Sequence, residues 1–94
     1  MDNLKISAAI LRKLKEDHNV EPREVEQAFQ NRCAGLLIDK REQHKSNPPT
    51  LWFIAPTNKG RRLKIVYIQN GIELHLKSAF DPNAEEERIY AKFA

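Results

Sequence analysis

The 94-residue chain has a single cysteine, three glycines, one methionine and one tryptophan. No apolar run approaches the length of a membrane span. Each shortage excludes something. A lone Cys33 permits no intrachain disulfide and no thiolate cluster for zinc; placed at the end of an apolar helical pattern, it reads as a small buried hydrophobe. His18, His44 and His75 lie far apart in sequence without metal-ligand spacing, so neither a metal nor a cofactor is expected. The start lacks a signal-peptide apolar core, which makes the cytoplasm the expected address, with no membrane association. With 40% apolar and 31% charged residues, the composition is that of a folded domain and not of a disordered tail.

One domain over residues 1–94 is expected, with no internal repeat. A chain of this size buries only about 60–65% of its unfolded surface, so its stability is modest or shared with a partner. From Lys5 to about Asp17, the positions Ile6, Ile10, Leu11 and Leu14 follow the rhythm of an amphipathic helix, which Asn19 can end in the left-handed conformation. Pro22 suits the first position of a second helix, with Glu24 near its positive end and Val25, Ala28 and Phe29 as its buried stripe. Gly35 to Asp39 reads as a short strand or a turn into one, and the polar, basic stretch Lys40 to Thr50 with Pro48-Pro49 as a surface loop.

Leu51 to Ala55 is a strand, turned by Thr57-Asn58-Lys59-Gly60 into a second over Arg62 to Gln69. Asn70-Gly71 then predicts a type I′ hairpin with a third strand ending near Ser78-Ala79. Asp81-Pro82, or Asn83 with Glu86 as a capping box, opens a final helix whose Ile89, Tyr90 and Phe93 would pack on the sheet. The expected class is therefore α+β: two N-terminal helices, an antiparallel β-meander of three to four strands, and a C-terminal helix on the sheet. Trp52 and Phe53 point to opposite faces of their strand, so one is expected in the core and the other towards solvent, where base stacking is the less favoured use.

If Asn70 and Gly71 are the two loop residues, Tyr67, Ile65 and Leu63 oppose Leu74, Leu76 and Ser78 on one apolar face. The other face then pairs Val66 with His75, Lys64 with Lys77 and Arg62 with Ala79. Like charges directly opposite are unfavourable unless solvated or meeting an anion, and both readings stay open. The net charge of +3 is concentrated: residues 40–64 hold Lys40, Arg41, Lys45, Lys59, Arg61, Arg62 and Lys64 against one acid, Glu42. Such a belt suits a polyanion or an acidic protein partner.

Asp17-His18-Asn19-Val20, the helix from Glu24 to Phe29, Gly60-Arg61-Arg62-Leu63, Ser78-Ala79-Phe80 and the pair Glu86 and Tyr90 follow one another at a familiar spacing. This series resembles the BrnT family of bacterial toxins, within the wider RelE/ParE-like group, over nearly the whole chain. The resemblance implies a toxin-like, metal-independent ribonuclease acting on mRNA, silenced by an antitoxin encoded beside it. Four of the family's polar positions differ. Its strand-start arginine falls near Thr50, the arginine after Ser-Ala is Phe80, and the helix-one lysine and asparagine fall at Ile10 and Leu14.

RNA cleavage without metal needs a base or orienting group at the 2′-hydroxyl, cations for the growing phosphate charge and a proton for the leaving oxygen. The candidates are Arg61, retained from the family's basic set, His75, which can carry a proton near neutral pH, and Glu73, two residues away on the same face. Lys59, Arg62, Lys64, Lys77 and Lys45 are the candidate nucleic-acid contacts. The alternatives are that Glu73 and His75 are ordinary strand-surface residues, and that the chain is a catalytically silent RNA- or protein-binding module on the same scaffold.

Overall fold

The computed structural model describes residues 1–40 and 48–94. In chain order the elements are β1 (Leu4–Lys5), α1 (Ala8–Lys13) continued by a π-helical turn (Leu14–His18), α2 (Pro22–Asn31), β2 (Leu37–Ile38), β3 (Thr50–Pro56), β4 (Arg62–Asn70), β5 (Glu73–Phe80) and α3 (Ala84–Phe93). The strands form one sheet ordered β1-β5-β4-β3-β2, with β1 parallel to β5 and every other pairing antiparallel. The α+β class and the central meander are as expected. Five strands stand where three to four were anticipated, because Leu4 and Lys5 pair with Leu74 and His75 instead of opening the first helix.

Local chemistry sets the boundaries. Ser7 accepts from the Ile10 amide and so starts α1 three residues later than the apolar rhythm suggests. Asn19 ends the π-helical turn in the left-handed region, at φ 51° and ψ 49°. Pro22 occupies the first turn of α2, where its missing N–H costs no hydrogen bond, while Glu21 and Glu24 cap one another's backbone. Asn83 and Glu86 do the same for α3 at 2.8 and 2.9 Å.

The β4–β5 hairpin differs from expectation by a shift and a bulge. Its loop residues are Gly71 and Ile72, not Asn70 and Gly71: Asn70 pairs with Glu73, and Gly71 alone takes the positive φ, 63°. Asn3 fixes this loop by donating from Nδ2 to the Ile72 carbonyl at 2.9 Å and accepting the Leu74 amide at 2.9 Å. Tyr67 then opposes Leu76 while Val66 opposes Ser78, leaving Lys77 as the extra residue of a bulge. The predicted Lys64–Lys77 pair does not form. Lys64 faces Phe80, Val66 faces Ser78, and His75 faces Ile68.

Both faces of the sheet are covered. On one, Phe53 of β3 and Tyr67 of β4 receive the Phe29 ring of α2 edge-on, each at 5.1 Å between centroids. On the other, Trp52 lies 5.7 Å from Tyr90 of α3. Trp52 and Phe53 are consequently both buried, which corrects the expectation that one would be exposed. Tyr90 packs as expected and donates its hydroxyl to the Gly35 carbonyl at 2.7 Å, and Ile89 rests against the core, whereas Phe93 is 64% exposed. Cys33 is exposed, not buried, because α2 ends at Asn31 and the cysteine falls in the connection beyond it.

Phe53 has no accessible surface and meets the rings of both Phe29 and Tyr67, at 5.1 and 6.1 Å between centroids. Phe53→Ala is expected to lower unfolding free energy by about 3–5 kcal/mol, read as a shift of the urea midpoint at unchanged slope.

Candidate nucleic-acid interface

Arg61 stands immediately before β4, after a turn in which Gly60 takes φ 87° and the Thr57 hydroxyl accepts the Arg61 amide. A guanidinium has five N–H donors. Here Nε and Nη2 fork onto Asp81 at 2.8 and 3.0 Å, Nη1 reaches the Asn19 carbonyl at 2.9 Å and Glu24 at 3.3 Å, and Nη2 also reaches the His18 carbonyl at 3.1 Å. Every donor is engaged. The side chain thereby ties the end of the π-helical turn, the first turn of α2, the start of β4 and the connection from β5 to α3. The bond from Arg61 holds the Asp81 carboxyl below the usual aspartate range, against a smaller opposing effect of burial.

The next two cations are also paired. Arg62 forks onto Glu87 of α3 at 3.1 and 2.9 Å, and this bond lowers the Glu87 carboxyl's affinity for protons. Lys64 is only 8% exposed; its ammonium meets Glu86 at 2.7 Å and stands 4.4 Å from the Trp52 ring centroid and 5.6 Å from that of Phe80. Arg62 and Lys64 thus share one end of the sheet, beneath α3.

His75 and Glu73 lie at the opposite end of β5. Their side chains meet at 3.0 Å between Nε2 and Oε1, and both are nearly half exposed. Lys5 is the register partner of His75 across the parallel pair, and Lys77 projects from the bulge two residues on. These three residues, with Ser7, Ile10 and Leu76, border an open groove of about 540 Å³ between β1, α1 and β5. Neither Lys5 nor Lys77 has an ion pair with a described residue; Lys5 donates to the Asp2 carbonyl at 3.2 Å.

Lys59 is exposed in the β3–β4 turn and borders a separate polar cavity of about 460 Å³ with Arg61, Asn58, Gln27 and Arg23. Lys45 lies outside the described residues. The structure therefore brings together His75, Glu73 and Lys77, and separately Arg62 and Lys64; Arg61 and Lys59 belong to a third place. Lys5 was missed as a neighbour of His75 because a two-residue parallel strand leaves almost no pattern to read. Among the described residues no three His, Cys, Asp or Glu side chains gather as a metal site, and no helix is long and apolar enough to cross a membrane.

No protein-family model matches the chain, and neither does any curated protein or solved structure.

Removing the Arg61 guanidinium leaves Asp81, Glu24 and two carbonyls without their donor. Arg61→Ala is expected to cost about 2–3 kcal/mol in chemical denaturation, and Arg61→Lys to restore less than half of that, since an ammonium cannot supply the fork. The Asp81 contribution has a defined pH dependence. Because its carboxyl binds protons less readily folded than unfolded, the stabilisation is full at neutral pH, declines as pH falls through the ordinary aspartate range and vanishes below the folded value. Asp81→Asn should accordingly lower Tm by roughly 4 °C at pH 7, about 1 kcal/mol for a pair this exposed, with the gap to wild type closing in acid.

Proposed function

We propose that this chain is a toxin-like, metal-independent endoribonuclease whose reacting centre is His75. The observation that carries the reading is the His75–Glu73 pair at 3.0 Å, with His75 bordering a groove that is also lined by two lysines that have no ion pair with a described residue. A carboxylate only accepts hydrogen bonds, so His75 holds its proton on Nε2 when bonded to Glu73, and Nδ1 remains the basic nitrogen. In cleavage by this centre, Nδ1 takes the proton of an RNA 2′-hydroxyl and the 2′-oxygen attacks the adjacent phosphorus. The P–O5′ bond then breaks, and the imidazolium returns its proton to the departing O5′, leaving a 2′,3′-cyclic phosphate and a 5′-hydroxyl. Lys77 and Lys5 serve the negative charge that grows on the phosphate oxygens. The sequence resemblance to BrnT-like toxins supports the same substrate, and adds a companion antitoxin as the expected protein partner.

A second reading, a binding module without catalysis, is favoured by Arg61. Its donors are all spent within the fold, and Thr50 and Phe80 stand where the resembled family has arginines.

The test is purified chain incubated with RNA and resolved on a denaturing gel, with His75→Gln and Glu73→Gln prepared alongside. Cleavage should fall by about 10²-fold or more in His75→Gln and less in Glu73→Gln, both variants keeping the wild-type Tm. Undiminished cleavage by His75→Gln overturns the assignment. RNA left intact by wild type, yet bound with an affinity that drops steeply with salt, moves the conclusion to the binding module.

A further inference from the structure

The last helix is lightly fastened to a surface whose composition suits a different ligand. Of its ten residues only Tyr90 is fully buried, whereas α2, of the same length, buries both Val25 and Ala28. Besides Tyr90 and the partly buried Ile89, α3 is held by charge, through Glu86 to Lys64 and Glu87 to Arg62. An element that depends on few apolar contacts and on ion pairs is among the first to open in local fluctuations.

Beneath it Arg62 and Lys64 share a sheet face with the Trp52 ring, and Phe80, whose ring packs on His18 at 5.5 Å, flanks Lys64. Lys64 stands over Trp52 and Phe80 at 4.4 and 5.6 Å, and Arg62 lies one pleat further along the same face of β4. Cations that follow a phosphate chain, spaced among rings on which bases can stack, are the elements of a single-stranded nucleic-acid platform. The Glu86 and Glu87 carboxylates occupy the positions on those cations that phosphate oxygens would take. Arg61 fastens Asp81, the residue just before the Pro82-Asn83 connection, so the helix can lift while its base stays anchored.

We propose that α3 is a self-masking cover, and that the face beneath it, centred on Arg62, Lys64 and Trp52, is a single-stranded nucleic-acid-binding site opened by displacement of the helix. The inference deepens the RNA-directed reading above by placing substrate contacts on the masked end of the same sheet, but it is testable without cleavage.

The probe is a short single-stranded DNA oligonucleotide, which lacks the 2′-hydroxyl and so cannot be cut by the proposed reaction. Its affinity for the full chain is measured by fluorescence anisotropy at low salt. Glu86→Gln/Glu87→Gln should bind roughly tenfold more tightly than wild type, since two cations lose their internal partners while glutamine can still serve the helix cap. Glu85→Gln/Glu16→Gln removes the same charge away from the covered face and should show no comparable gain. Adding Arg62→Ala to the first pair should abolish the increase. An equal rise in the control pair, or no rise in either, overturns the proposal. Hydrogen exchange on wild type tests it without any substitution: oligonucleotide should speed exchange of the α3 amides, and unchanged or slower exchange overturns the cover. RNA cleavage by wild type with no gain in the Glu86/Glu87 variant would defeat the cover alone; the gain without any cleavage would defeat only the nuclease reading.

Discussion

The guanidinium of Arg61 is the interaction on which the arrangement of elements depends. Two helical segments, the central strand β4 and the lead-in to α3 meet at one side chain, and none of these meetings is made by the sheet's own hydrogen bonds. The cost of withdrawing the charge from water is met by two carboxylates and two carbonyls, a partner set complete enough that the residue needs nothing from outside the protein. The Gly-Arg-Arg segment therefore divides its labour. Its first arginine organises the scaffold, and its second reaches across to the last helix.

The excess of positive charge between residues 40 and 64 has a different meaning in three dimensions than along the chain. Arg61, Arg62 and Lys64 are each met by an acid distant in sequence, so much of the apparent belt is internal wiring. Lys5 and Lys77, which have no ion pair with a described residue, belong instead to the opposite end of β5, where they frame His75. A charge map drawn from sequence and one drawn from the folded surface thus agree on Lys59 and Lys77 but part over Arg62 and Lys64, which are paired internally, and over Lys5, which only the fold brings in.

Much of the fold was legible because its signals are local. Pro22, Asn19 and the Asn83–Glu86 box each announce a helix boundary through one or two residues, and β3 and β4 are built around the apolar runs Leu51 to Ala55 and Ile65 to Ile68. What could not be read is what depends on pairing. The hairpin loop slides by one residue because only Gly71 adopts a positive φ while the Asn3 backbone and side chain hold the loop from outside, and the bulge at Lys77 then undoes the simple alternation on which the predicted charged face relied. The burial of both Trp52 and Phe53 likewise requires knowing that each face of the sheet has a cover. At the candidate site, His75 and Glu73 were visible through their two-residue spacing, whereas Lys5, some seventy positions away, was not.

That distant pairing also orders the assembly of the molecule. The β3–β4–β5 meander closes through short turns and can form early, while β1 joins β5 only after nearly the whole intervening chain has been drawn in, an entropically expensive closure rewarded by a two-residue ladder and the bonds of Asn3. The groove beside His75 has β1 as one wall, so it is among the last features to take shape as the chain folds.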